Sequence, residues 1–171
     1  LSHGTPGCDG YRHGADAART YVCFMGPPER GGDWSDEGVE GVHRFLSRLW
    51  RASEEIAAAR AAAGDSDDGA FDSRAAGGDA RVLVAKAHWA IDKATRDIEP
   101  RFHLNTAISA VMELVNETYR LKDGLYDDSI GAATVRFATT TAASLLFPFA
   151  PHLASEIYEW LEGKRVWEQP W

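Results

Sequence analysis

The sequence predicts an all-α protein, built as an antiparallel helix bundle with short connections. Apolar residues recur at helical spacing along most of the chain, proline and glycine separate the periodic segments, and no strand pattern of any length competes. A chain of 171 residues with 44% hydrophobic residues is long enough to bury a core. We therefore expect one helical domain at 14–171, preceded by a flexible leader at 1–13.

The first predicted helix is short and runs from Gly14 to Met25. Ala18, Val22 and Met25 share its predicted inner face. The sequence Gly-Pro-Pro at 26–28 ends it, because proline cannot continue a helix and restricts the residue before it.

The second predicted helix begins after Ser35, a good N-cap residue that is followed by two acidic residues at the positive end of the helix dipole. Its glycines, Gly38 and Gly41, each cost about 1 kcal/mol of helix propensity relative to alanine, so we expect their small size to be required. The face predicted to be apolar consists of Val39, Val42, Leu46 and Leu49.

A second stripe on this helix is cationic, with Arg44, Arg48 and Arg51 at spacing i, i+4 and i+7. Phased arginines on one face can contact phosphates. They can equally form ordinary surface ion pairs, and Glu40 is placed to pair with Arg44 one turn away.

An acidic, glycine-rich segment at 64–79 is predicted to be a mobile loop. Four further elements follow it. They are a helix at 80–98; a helix from Asn105 or Thr106 with Ile108, Val111, Met112, Val115 and Tyr119 in phase; a helix capped within 127–129 whose face is Ile130, Ala133, Phe137, Thr141 and Leu145; and a helix at 152–161 closed by Gly163, with an extended tail at 164–171.

The composition narrows the classes of function. The net charge of −8 argues against a generic nucleic-acid binder, although basic residues gathered on one face can still bind phosphate. No apolar run is long enough for a membrane span, and the two cysteines form neither a metal spacing nor a disulfide framework. We expect a cytoplasmic protein with no metal site.

No catalytic constellation is evident. The sequence has no phosphate-binding glycine loop and no grouping of a nucleophile with a base. We interpret His88 and Asp92 as a surface pair, and Glu113 and Glu117 as a solvated helix face instead of a carboxylate dyad. We therefore expect no catalytic residues and no cofactor in this chain.

Several blocks of the sequence, in order, resemble the tRNA-binding helical domain of bacterial leucyl-tRNA synthetases. The run at 34–51 (WSDEGVEGVHRFLSRLWR) is similar to the start of that domain and is the most specific block. The remaining blocks are GADAAR leading into FMGPPE at 14–29, the segment at 98–116 with RF, NTA and MELVN, LFPFAPHL at 146–153, and VWEQPW at 166–171.

The resemblance implies a helix bundle of the class Ia synthetase anticodon-binding type. Its partners would be tRNA, specific for leucine, and the catalytic body of a synthetase. The HIGH and KMSKS motifs and the nucleotide fold of an ATP-dependent leucine–tRNA ligase are absent from this sequence, so ATP would be used by that body. An excised domain and a free-standing paralogue that acts in protein interaction without RNA binding both remain open.

Contacts to the RNA backbone are expected, since arginines on phosphates fix register without reading sequence. Phe45, Trp50 and Met112 are expected in the core and not as base-stacking platforms. The candidate tRNA-binding residues are Arg44, Arg48 and Arg51, followed by Lys86, Lys93 and Arg96.

Overall fold

The computed structural model of the chain describes residues 14–26, 31–62, 71–99 and 101–170. These residues form six α-helices and no strand, so the predicted all-α fold class is confirmed. The predicted leader at 1–13 lies outside the described residues. The helices are α1 (Ala15–Phe24), α2 (Asp36–Ala62), α3 (Gly78–Ile98), α4 (Leu104–Leu125), α5 (Ser129–Leu146) and α6 (Pro151–Glu162).

Consecutive helices pack side by side from α3 to α6, and α5 lies at the centre of the bundle. It contacts α2, α3, α4 and α6. Helix α1 packs across α2 and α4. The largest fully buried side chains come from five of the helices. They are Leu49, Leu83, Ile108, Leu114, Leu146, Ile157 and Leu161, together with several valines.

The caps that the sequence indicates mark the helix ends. Ser35 Oγ accepts a hydrogen bond from the Gly38 N–H at 3.2 Å, which confirms it as the cap of α2. Asp128 caps α5 in the same way, because its Oδ1 accepts from the Gly131 N–H at 2.8 Å. Gly163 ends α6 at φ 64°, a left-handed conformation that favours glycine.

The predicted inner face of α1 is wrong at Val22, which is 53% exposed, although Met25 packs against the core. The buried residues are Ala17, Thr20 and Tyr21. Tyr21 decides the orientation, because its ring lies where a side chain at Gly38 of α2 would be. Small and polar residues turned inward give no apolar periodicity to detect.

The predicted face of α5 is also wrong in its first turns, where Ile130 is 42% exposed. The five residues at 139–143 are all buried, so the second half of this helix is enclosed on every side. A helix surrounded by four others has no single apolar stripe, and periodicity cannot orient it.

Two connections are more ordered than the sequence predicts. The described part of the predicted loop contains a 3-10 turn, Ser73–Ala75, and its last two residues, Gly78 and Asp79, already belong to α3. The tail contains another 3-10 turn, Val166–Glu168, where an extended segment was predicted. Buried Val166 holds that turn against the bundle.

Candidate nucleic-acid interface

The α2 arginines differ in how firmly they are held. Arg44 pairs with Glu40 at 2.6 Å, as the i, i+4 spacing predicts, and both side chains are more than half exposed. Within the described part of the chain Arg51 is exposed and forms no ion pair. Exposed pairs of this kind contribute about 0–1 kcal/mol, so a phosphate can displace Glu40 from Arg44 at little cost.

Arg48 lies in the seam between α2 and α4. Its Nη1 donates a hydrogen bond to Asn116 Oδ1 at 2.9 Å, and its guanidinium carbon lies 4.7 Å from the centre of the Tyr119 ring. The Tyr119 hydroxyl in turn donates to the Arg48 carbonyl oxygen at 2.8 Å. The side chain of Arg48 is therefore fixed in direction before any ligand arrives.

A buried lysine that the sequence did not single out reinforces this seam. Lys122 on α4 pairs with Glu55 of α2 at 2.6 Å and with Asp123 at 2.9 Å. Burial alone would lower the pKa of Lys122, but hydrogen bonds to both carboxylates raise it above its ordinary value. Its ammonium also lies 5.2 Å from the Tyr119 ring. The ion pair of Lys122 with Glu55 thus connects α4 to α2.

On α3, Lys86 reaches α4 as well. Its Nζ donates to Glu113 Oε2 at 2.7 Å and lies 3.6 Å from the centre of the Trp89 ring. Glu113 and Asn116, which receive Lys86 and Arg48, are one helical turn apart on α4, about 5 Å along its axis. The structure therefore brings Lys86 and the arginine stripe of α2 onto one surface.

The outer residues of α4 at this surface, Glu113, Asn116, Glu117 and Arg120, are called the α4 ridge below. Arg120 donates to both carboxylate oxygens of Glu117, at 3.0 and 2.6 Å. This hydrogen bonding lowers the pKa of Glu117. Each ridge carboxylate thus faces a cation and not another carboxylate, consistent with the predicted solvated helix face.

Lys93 and Arg96 lie two to three turns further along α3 and do not join the α4 ridge. Arg96 pairs with Asp92 on the surface, whereas the His88 ring packs on Phe137 with ring centres 5.6 Å apart. Lys93 hydrogen-bonds the buried carboxylate of Asp97. Burial would raise the pKa of Asp97, but the hydrogen bond and the positive charge of Lys93 keep it below its usual range. Lys93 therefore has a structural role, as the partner of Asp97.

Basic side chains gather around the α4 ridge although the chain is acidic. Five cations and three carboxylates lie on the α2 stripe, at Lys86 and on the ridge, while the whole chain carries −8. Spacing along the sequence could not reveal the ridge, because its contacts join residues as far apart as Arg48 and Asn116. The cations are Arg44, Arg48, Arg51, Lys86 and Arg120; the carboxylates are Glu40, Glu113 and Glu117.

The aromatic residues of α2 are turned inward. Phe45 is buried, and half-buried Trp50 packs on Trp160 of α6 with ring centres 5.5 Å apart. Met112 packs against the core. Among the described residues no group of histidine, cysteine and acidic side chains could hold a metal ion. No helix in the described ranges is long and apolar enough to cross a membrane.

A family model described as the anticodon-binding domain of tRNA ligase matches residues 80–171, which is more than half of the chain. The chain belongs to this anticodon-binding domain family. The matched part of the domain contains all of α3 but its first two residues and the whole of α4 to α6, and therefore the α4 ridge with Lys86 and Arg120. Helix α2 with its arginine stripe precedes the match.

The domain is also similar to longer proteins over nearly its whole length. It is 42% identical over 161 residues to a leucine–tRNA ligase of Nitratidesulfovibrio vulgaris, covering 94% of this chain and 19% of that protein. It is 43% identical over 166 residues to the leucine–tRNA ligase of Desulfatibacillum aliphaticivorans, covering 94% of this chain and 18% of that protein. The domain thus spans about a fifth of the length of these relatives.

A solved structure shares the fold. It is the ternary complex of the AgnB2 LeuRS of Agrobacterium radiobacter K84 with tRNA and LeuAMS. The TM-score is 0.73 and the identity 25%, over 98% of this chain and 21% of that one. These findings confirm the resemblance drawn from the sequence blocks, and none of them supports a protein-interaction module without RNA binding.

Proposed function

We propose that this domain docks leucine tRNA for a leucine–tRNA ligase, by holding the RNA backbone at the α4 ridge and the arginine stripe of α2. The observation that carries the proposal is the convergence of Arg48 and Lys86 on adjacent turns of α4. The names of the relatives support the choice of tRNA and of leucine. Aminoacylation, with its use of ATP, would take place on the catalytic body of the ligase in the cytoplasm.

The chemistry of the surface favours phosphates over bases as the groups that are held. Guanidinium groups match the geometry of phosphate oxygens and remain charged at all physiological pH values. Arg44 and Lys86 each have an exposed carboxylate partner that a phosphate can replace. Such contacts set the position and orientation of the RNA but carry little sequence information.

Filter binding of leucine tRNA to the 171-residue chain over a salt series tests the proposal. We expect the logarithm of the binding constant to fall linearly with the logarithm of salt concentration, because each phosphate contact releases counterions. The double variant Arg44→Ala, Arg51→Ala should reduce the slope by about two, one for each lost contact. Neither arginine holds another helix, so this variant should remain folded.

Arg165→Ala provides a control for the loss of a surface arginine elsewhere. Arg165 is an exposed arginine beyond α6, and its removal changes the net charge without touching the α4 ridge. We expect its salt slope to equal that of the wild type. An elongator tRNA for another amino acid should bind with similar affinity, since the backbone is what is held. No affinity even at low salt would overturn the proposal and favour the protein-interaction alternative.

A further inference from the structure

The connection between α3 and α4 presents an aromatic residue in an unusual backbone conformation. Phe102 has φ 54°, and among the described residues it is the only residue other than glycine with positive φ. The left-handed region is costly for a bulky L-residue because Cβ crowds the following carbonyl oxygen. We call residues 101–103 the α3–α4 tip.

Packing does not explain the choice of phenylalanine. Phe102 is 62% exposed, more than any other large exposed hydrophobic residue among those described. A glycine would make the same turn without strain. Strain that buried contacts do not offset is found at ligand-binding and catalytic positions, so the ring itself requires an explanation.

The tip is held rigidly from the protein side. The N–H of Phe102 donates to the Ile98 carbonyl oxygen at 3.2 Å, and the N–H of His103 donates to the Asp97 carbonyl oxygen at 2.8 Å. The His103 carbonyl oxygen in turn accepts a hydrogen bond from the Thr106 hydroxyl of α4 at 3.0 Å. Both helices therefore fix the backbone that carries the exposed ring, which lowers the entropy cost of binding a ligand on it.

We propose that Phe102 is a stacking platform for one unpaired nucleobase of the bound tRNA, with Arg101 contacting an adjoining phosphate. This inference rests on the proposed function. Stacking needs only one exposed π-face, and an arginine beside it supplies the charge that nucleic acid requires. A protein partner would instead need a cluster of apolar anchors, whereas the chain neighbours of Phe102 are exposed Arg101 and His103.

Phe102→Gly removes the ring and relieves the backbone strain. A loss of tRNA affinity in this variant can therefore be distinguished from a loss of stability. We expect its melting temperature to equal or exceed that of the wild type, while its affinity for leucine tRNA falls by about fivefold or more. The salt slope should stay unchanged, because no charge is lost. Phe102→Asn also tolerates the left-handed conformation and should lose affinity in the same way. Phe102→Trp keeps an aromatic ring and should bind tRNA as the wild type does.

A ligand control isolates the unpaired base. A single-stranded RNA and a blunt duplex with the same number of phosphates are titrated against the wild type and Phe102→Gly. We expect the variant to lose affinity for the single strand and not for the duplex, whose bases are already stacked. Trp167→Ala, which removes another exposed aromatic residue beside an arginine, should bind both RNAs as the wild type does.

The outcomes separate this inference from the proposed function. A wild type without salt-dependent tRNA affinity overturns both. A wild type that binds tRNA while Phe102→Gly binds it equally well overturns the stacking platform alone, and points to a protein contact for the ring. Equal losses on the single strand and the duplex, or an equal loss in Trp167→Ala, also overturn it.

Discussion

Gly38 and Gly41 stand one turn apart on α2, yet their surroundings differ. A Cβ at position 38 would lie 2.4 Å from the Tyr21 ring, whereas a Cβ at position 41 would meet only an Arg44 nitrogen at 3.9 Å. The Tyr21 ring cannot move aside freely, because its hydroxyl accepts from the Ser35 N–H at 3.0 Å and contacts the Asp33 carbonyl oxygen. The small size expected of both glycines is therefore required by space at Gly38 alone.

We predict opposite effects for the two alanine variants. Gly38→Ala should lower the free energy of unfolding by about 1–3 kcal/mol, because overcrowding exceeds the gain in helix propensity. Gly41→Ala should raise it by up to about 1 kcal/mol, since only propensity changes. Urea denaturation of both variants measures the difference. Equal shifts of the two midpoints would contradict the close fit of Tyr21.

At the scale of elements, the last turn of α3 contains the buried carboxylate of Asp97, which accepts a hydrogen bond from Lys93. The pKa of Asp97 in the folded state is lowered below its ordinary value of 3.8. Its carboxylate therefore stabilises the fold fully at pH above that value, and the contribution is lost as pH falls through the folded-state pKa. Between about pH 5 and about pH 3, we expect wild-type stability to fall more steeply than that of Asp97→Asn.

Urea denaturation at several pH values measures this, with Asp92→Asn as the control. Asp92 is on the same helix and its pair with Arg96 is fully at the surface, so its loss should hardly change the pH profile. Glu117, whose pKa is also lowered, remains in both variants and contributes the same acid sensitivity to each. Parallel pH profiles for Asp97→Asn and the wild type would contradict the role of Asp97.

Helix ends were easier to predict than helix faces. Caps such as Ser35, Asp128 and Gly163 act within one turn of the chain, so local sequence contains the information. The faces of α1 and α5 depend on neighbours distant in sequence: Tyr21 fits against Gly38, and α5 is enclosed by four helices. Packing against distant parts of the chain does not produce a periodic pattern of apolar residues within a single segment.

At the scale of the whole molecule, the question is whether local or total charge governs RNA affinity. The chain carries −8, yet five basic side chains gather around the α4 ridge. The α2 arginine stripe was predicted from its spacing. Asn116, Tyr119 and Arg120 were missed, because their part appears only when α4 is placed beside α2 and α3. The roles of the six candidate residues in tRNA binding remain predictions.

Glu113→Gln tests the importance of local charge. It removes the partner of Lys86, so we expect tRNA affinity at low salt to rise roughly two- to fivefold, in line with the value of an exposed ion pair. Glu156→Gln, at an exposed position of α6, changes the net charge from −8 to −7 as well and should have little effect. Equal gains in both variants would show that total charge is what matters.

Asp16 on α1 joins the two ends of the described chain. Its Oδ2 accepts from the Leu153 N–H at 2.7 Å, and its Oδ1 lies 2.8 Å from His152 Nδ1, so α1 caps the first turn of α6 across 137 residues. During synthesis on a ribosome, α1 emerges first and its carboxylate meets its partner only after α6 has been made. Helix α6 is thus completed by α1, and this contact can form only after the whole segment between them has been synthesised.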